Sequence, residues 1–161
     1  MANQVLEELR KQIKYSLHQT GSQNEQKDGM DLAFCAINLK NNTLQYSGAN
    51  NPIFAVINGE FEEFKPVKNP IGIYLKEKEF ENHLINISKG DIIYMFTDGI
   101  CDQFGGDKGR KYRIGSFRKL INDIHKNDLE TQKQIIQHEF ETWKQFAEHQ
   151  TDDVTVLGFK L

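Results

Sequence analysis

Three short acidic clusters hold the residue types best suited to chemistry: Asp28 and Asp31 in DGMD, Asp98 and Asp102 in FTDGICD, and Asp152-Asp153 in QTDDVTV. The second and third are the informative ones. Asp98 closes an apolar run, IIYMFT, and is followed by Gly99. A carboxylate at the tip of a buried strand is held stiffly and aimed at one place. Asp152 stands just before a second apolar run, VTVLGF. If the two runs are neighbouring antiparallel strands, the end of one meets the start of the other. Asp98 and Asp152 then face each other at one edge of a sheet. Two carboxylates about 4 Å apart repel by roughly 4 kcal/mol at an effective dielectric near 20. A shared proton, a nearby cation or a bound metal relieves that repulsion. Oxygen-only donors favour hard ions such as Mg²⁺ or Mn²⁺ over zinc. The residues alone leave a plainer alternative open, with Asp98 as the N-cap of a helix starting at Ile100 and Asp152-Asp153 as a solvated turn.

Other reactive types rank lower. Lys108, Arg110, Lys111 and Arg113 follow Asp98 closely. They can steer a phosphorylated substrate, or simply decorate a glycine-rich loop through Gly105, Gly106 and Gly109. The histidines, His18, His83, His125, His138 and His149, show no ligand spacing and read as surface residues. Cys35 and Cys101 are far apart and form no C-x-x-C, so they read as buried thiols and not as a disulfide framework. Cys101 has no histidine nearby in sequence to activate it as a nucleophile. No Walker-type or G-x-G-x-x-G loop is present.

The elements that must position these residues follow from hydrophobic periodicity. Val5, Leu6, Leu9, Ile13 and Leu17 recur every three to four residues and predict an amphipathic helix. A polar loop with Gly21, Ser22 and Asn24 follows. DLAFCAINL is apolar on both faces and predicts a buried strand. Asn41-Asn42 turns it into TLQYSGA, since asparagine tolerates positive φ. Asn50, Asn51 and Pro52 make a tight turn into PIFAVI, and Asn58-Gly59 makes a hairpin into EFEEF. After a loop bracketed by Pro66 and Pro70, FENHLINI alternates as a strand, and IIYMF is a strand buried on both faces. Phe117, Leu120, Ile121 and Ile124 predict one helix; Ile135, Ile136, Phe140, Trp143 and Phe146 predict another that packs on the sheet. DVTVLGFKL closes the chain as a strand. Blocks of strands followed by helices predict an α+β class, mainly antiparallel.

Bulk properties narrow the function. The 161 residues suit a single domain with a real core. Charges of both signs are mixed, 20 basic against 23 acidic, and no basic stripe exists for nucleic acid or a membrane surface. No apolar run approaches the ~20 residues of a membrane span. The charged N-terminal segment MANQVLEELRKQIKYSL carries no signal-peptide stretch, so a cytoplasmic location is expected.

The stretch DGMDLAFCAINLKNNTLQYSGANNPIFAVINGEF, then IGIY, ISKGDIIYMFTDGICDQFGG and QTDDVTVLGFKL, resembles the later motifs of a SpoIIE-type phosphatase. That is the bacterial branch of the PPM (protein phosphatase 2C-like) superfamily. The ordered set, from about Asp28 to the last residue, is what makes the resemblance specific. It implies a truncated four-layer α-β-β-α sandwich in which residues 1–161 form the C-terminal part of the domain. It implies two Mn²⁺ or Mg²⁺ ions held by aspartates, and a metal-bound water that attacks phosphoserine or phosphothreonine. On this resemblance Asp98 and Asp152 are the metal and catalytic residues, Asp153 and Asp102 are lesser metal candidates, and Lys108, Arg110 and Lys111 contact substrate. The family's earlier G-D-x-x-D and D-x-[ST]-G-H-G segments have no match in this sequence. The expectation is therefore a weakly active or inactive chain whose parent domain dephosphorylates a bacterial signalling protein. By analogy the phosphoprotein substrate is an anti-sigma-factor antagonist. The alternative is a non-catalytic phosphatase-like interaction module. An apolar sheet edge left uncovered predicts a homodimer.

Overall fold

The computed structural model describes residues 1–22, 27–145, 147 and 149–161. Asn24 and Phe146, named above for a loop and a helix, lie outside the described residues. The chain divides into two compact units.

The first unit comprises residues 1–53 and 63–88. Its helix α1 spans Ala2–Ser16. Its sheet has the order β1-β2-β5, with β1 at Leu32–Asn38, β2 at Thr43–Ala49 and β5 at His83–Asn86. Pairing is antiparallel, with Cys35 opposite Tyr46 and Tyr46 opposite His83. The β1–β2 turn places Asn42 at φ 50°, as asparagine permits. Leu6 is fully buried against Ala49, Val67, Ile71 and Phe80, with Leu9 and Ile13 beside it. Val5 and Leu17 are exposed, so the buried stripe is narrower than the periodicity predicts.

The loop ahead of β5 is fastened to α1 by Arg10. That guanidinium is buried and lies 4.5 Å over the Phe80 ring. It pairs with Glu7 and Glu77 and donates to the Lys78 carbonyl at 2.8 Å. A buried cation survives only when paired and bonded in this way.

The second unit comprises residues 54–62 and 89–161. Its sheet has the order β4-β3-β6-β9: Glu60–Phe64, Ile53–Ile57, Ile92–Phe96 and Val156–Lys160. Asn58 and Gly59, at φ 52° and 81°, form the expected hairpin turn. α2 (Gly99–Asp102) leads to a small hairpin, β7 (Phe104–Gly105) and β8 (Arg110–Lys111). α3 (Arg113–Ile124) and α4 (Leu129–Lys144) follow. Phe54, Phe96 and Phe117 form the aromatic centre of the core, with centroids 4.8 to 5.8 Å apart. Tyr94 donates to Gln132 at 2.7 Å, and Gln132 in turn donates to the His125 and Asn127 carbonyls.

The α+β class and the antiparallel pairing are as the sequence predicts. Several details differ. β1 is an edge strand, half-buried at first and exposed from Ala36 onward, and not a buried one. Its apolar residues on both faces mimic a central strand. β5 is four residues long, and Phe80 lies ahead of it beneath Arg10. His83, read as a surface residue, is half-buried: its ring stacks on Tyr46 and lies edge-on to Phe64. Trp143 packs edge-on to Tyr112 and against Gly105 and Gly106 of the small hairpin. No helix among the described residues is long and apolar enough to cross a membrane.

Glycine positions give a sharp test of this packing. A Cβ at Gly48 would lie 2.1 Å from the Tyr46 hydroxyl oxygen and 2.5 Å from the Asn51 carbonyl oxygen. A Cβ at Gly115, inside α3, would meet nothing within 4 Å. Gly48→Ala should therefore destabilise by about 1–3 kcal/mol, as overpacking does. Gly115→Ala should stabilise by about 0.5–1 kcal/mol through helix propensity. Urea denaturation of the two variants measures both signs.

Candidate metal centre

The candidate site is built from the ends of two strands. β6 is apolar on both faces, and Ile92, Ile93, Tyr94 and Phe96 are all buried. β9 pairs with it antiparallel, from Ile92 opposite Lys160 to Phe96 opposite Val156. The pairing continues past the regular ladder. Thr97 N–H donates to the Thr155 carbonyl at 3.0 Å, and Thr155 N–H donates to Thr97 Oγ1 at 3.0 Å. Thr97 Oγ1 donates in turn to the Asp153 carbonyl at 3.1 Å. The segment that carries Asp98 is thus bonded to the segment that follows Asp152.

Gly99 sets the spacing between these segments. A Cβ there would lie 2.3 Å from the Asp153 carbonyl oxygen, closer than any real contact. The acidic stretch can approach only because residue 99 has no side chain. Asp98 sits at the N-cap of α2, yet its side chain makes no capping hydrogen bond. The capping alternative therefore describes its backbone and not its carboxylate. Its carbonyl accepts from the Cys101 and Asp102 amides at 2.8 and 2.9 Å. Asp98, Asp152 and Asp153 are all exposed. Asp152 Oδ1 accepts from the Asp153 amide at 2.7 Å, and its carbonyl accepts from Gln150 Nε2 at 2.8 Å.

The other candidates are placed differently. Asp102 is paired with Lys111 at 2.8 Å, so each neutralises the other. Lys111 also lies 5.8 Å from the centroid of Phe104. Lys108 and Arg110 are exposed on the small hairpin. Asp31 belongs to the first unit and accepts from Asn50 Nδ2 at 2.8 Å, fixing the turn after β2. Asp28 is in that unit too, and its carbonyl accepts from Gln19. A cavity of about 520 Å³ in the second unit is lined largely by apolar side chains of α4 and β9, including Leu129, Ile136, Phe140 and Val156. Asp98 and Asp152 are not in its walls; they face solvent.

Cys101 is buried and Cys35 half-buried, and their surroundings disfavour the thiolate form. Desolvation pushes the Cys35 thiol up to about 12. Desolvation does the same for Cys101, aided by the negative charges of Asp102 and Asp98.

Comparison with known proteins decides the family. Residues 2–161 match the Stage II sporulation protein E (SpoIIE) family. The chain belongs to the SpoIIE family. Its fold is that of PP2C-type phosphatase domains, and metal-dependent dephosphorylation is general to this family. It is similar to the SiaA-PP2C domain of Pseudomonas aeruginosa, with a TM-score of 0.80 and 23% identity over 98% of this chain. It is similar to the phosphatase domain of SpoIIE from Bacillus subtilis, with a TM-score of 0.62 and 16% identity over 99% of this chain. RsbX in complex with magnesium aligns with a TM-score of 0.54 and 15% identity over 96% of this chain. The chain spans 59% of the SiaA domain, 73% of the SpoIIE domain and 72% of RsbX. No curated protein matches it.

The donor chemistry fits the metals of this family in kind. The two carboxylates are hard oxygen donors, and neither has an ion-pair partner among the described residues. It does not fit in number. No group of three His, Cys, Asp or Glu side chains that could hold an ion exists among the described residues.

Two outcomes follow. Gly99→Ala should cost about 1–3 kcal/mol in urea denaturation and separate the two acidic segments, because the obstacle it meets is backbone. Both cysteines should resist alkylation at pH 8. A thiol near 12 presents roughly a thousandfold less thiolate than an ordinary one near 8.5. Mass spectrometry after timed iodoacetamide labelling, native against urea-unfolded, reads the difference.

Proposed function

We propose that the domain to which this chain belongs hydrolyses phosphoserine or phosphothreonine on a bacterial signalling protein, using Mn²⁺ or Mg²⁺. The observation that carries this reading is the bonded juncture of β6 and β9, which brings the carriers of Asp98 and Asp152 together. Asp98 and Asp152 would each offer a carboxylate to a hard cation. Asp153 and Asp102 are lesser donors, the second already engaged by Lys111. When bound, such ions lower the pKa of water and neutralise charge on a transferring phosphoryl group. The chain's own part is to fix two carboxylates against a rigid sheet, and to present Lys108 and Arg110 as exposed cations for a phosphate to meet. The phosphoprotein partner we favour is an anti-sigma-factor antagonist, by analogy with the family. A cytoplasmic location accords with that partner. The apolar edge of β1 supports a homodimer.

With two of the carboxylates that six-coordinate Mg²⁺ or Mn²⁺ needs, this chain binds metal weakly and turns over slowly on its own. A second reading, a non-catalytic interaction module, is favoured by the lack of any three-residue ligand cluster among the described residues. A Mn²⁺ titration and a phosphoserine-peptide assay separate the two. Asp98→Asn and Asp152→Asn should each weaken Mn²⁺ binding by about tenfold or more. Both sites are exposed, so stability should stay within about 0.5 kcal/mol. Mn²⁺ affinity unchanged in both variants would leave only the interaction module. Phosphatase turnover at the rate of a complete domain would contradict the weak-site expectation.

A further inference from the structure

Gln103 is fully buried, and its side chain makes three hydrogen bonds, two of them to the 149–151 segment. Its Nε2 donates to the Phe104 carbonyl at 2.9 Å and to the His149 carbonyl at 3.2 Å. Its Oε1 accepts from the Thr151 amide at 2.9 Å. The main chain of the same residue is equally committed. Its N–H donates to the Gly99 carbonyl at 3.1 Å, and its carbonyl accepts from Trp143 Nε1 at 3.1 Å and from the Tyr112 amide at 3.0 Å.

These partners have a pattern. Gln103 is the C-cap of α2, the four-residue helix whose N-cap is Asp98. Thr151 immediately precedes Asp152. One residue therefore bonds to the carbonyl beside Asp98 and to the amide beside Asp152. A buried amide with unmet donors or acceptors costs free energy, so every slip of the 149–151 segment away from α2 is penalised. The β6–β9 ladder fixes the two segments from one side, through Thr97 and Thr155. Gln103 fixes them from the other.

We propose that Gln103 is a positioning residue, setting where the Asp152 segment stands relative to Asp98; the proposal rests on the metal-site reading above. Substituting it lowers cation affinity with both carboxylates still present. It touches neither ion nor substrate, so its effect is on geometry alone.

The test compares the full chain with Gln103→Leu, Gln103→Glu, Asp98→Asn and Ile121→Val, at a temperature where thermal melts show each folded. Mn²⁺ binding is read from the electron paramagnetic signal of the free ion. Gln103→Leu should weaken binding by about tenfold, as loss of an outer supporting bond does. Gln103→Glu should weaken it too: an oxygen remains to accept from the Thr151 amide, but a carboxylate cannot donate to the Phe104 and His149 carbonyls and meets them with repulsion. Ile121→Val, a trimmed core residue remote in role, should lower Tm and leave binding unchanged. Amide hydrogen exchange gives an independent readout: Thr151 should lose protection in Gln103→Leu while β3 and β6 keep theirs. Wild-type Mn²⁺ affinity in Gln103→Leu overturns the proposal even if its Tm falls, and so does an unchanged Thr151 amide. If Asp98→Asn also binds Mn²⁺ as wild type does, the metal reading has failed, and exchange at Thr151 alone decides the positioning role. Should Gln103→Leu not fold, Gln103→Met, an unbranched neutral side chain closer in length to glutamine, carries the same comparison.

Discussion

The antiparallel register of β6 against β9 is the constraint on which the rest of the second unit depends. It joins residues more than fifty positions apart, and closing so long a loop costs entropy before any contact repays it. The repayment comes from what the loop contains. α3 drives Phe117, Ile121 and Ile124 into the core, where Phe117 meets Phe54 and Phe96. α4 brings Gln132 to Tyr94 and Trp143 to Tyr112. After these helices the chain returns to lay Val156 opposite Phe96. The placement of two acidic segments is thus a consequence of apolar packing elsewhere, in the usual division between a rigid scaffold and polar groups carried at its ends.

Local rules give way at this juncture in a consistent direction. Asp98 occupies an N-cap position yet forgoes the capping bond that is typically worth about 1 kcal/mol. Asp128, at the start of α4, makes that bond in full, accepting from both the Thr131 amide and its hydroxyl. The hydrogen bonds of Thr131 accordingly hold the Asp128 carboxyl below its usual range. The two aspartates have the same local role in sequence and opposite side-chain behaviour. A carboxylate left free where a neighbour of its kind is satisfied is what a site needs and a structural cap does not. Lys111 reinforces the contrast by taking up Asp102 and leaving Asp98 alone.

Much of this was legible in the sequence because it depends on short-range chemistry. Asn42, Asn58 and Gly59 adopt the positive φ their types permit, and both hairpins form where those residues stand. The apolar run of β6 and the helical spacing of α3 and α4 were readable for the same reason. What could not be read depends on tertiary neighbours. β1 looks central because it is apolar on both faces, but pattern alone cannot tell an uncovered edge from a covered one. His83 lies between two rings brought by β2 and by the end of β4, and no spacing announces that. Arg10 reads as one more charge on a polar helix face, whereas the loop carrying Glu77, Lys78 and Phe80 buries it. Gly99 was visible as part of T-D-G, yet the reason for it is the carbonyl of Asp153, a residue far along the chain. Gln103 gave no signal at all, since a lone glutamine has no period and its three partners lie in two separate stretches.

The geometry at the strand ends does not need a cation to exist. Backbone hydrogen bonds through Thr97 and Thr155, the absent side chain of Gly99 and the buried amide of Gln103 all act between protein atoms. Asp98 and Asp152 are both exposed, and solvent screens repulsion between carboxylates to roughly 1 kcal/mol at 4 Å in bulk water. A hard cation that prefers six oxygen ligands gains little from two of them, and the balance must come from water or from other donors. Geometry and affinity are therefore separable in this protein. The fold sets the first, and the number of carboxylates that reach the edge sets the second. The β6–β9 juncture is a property of the scaffold, set by backbone bonds and apolar packing whether or not a cation binds beside it.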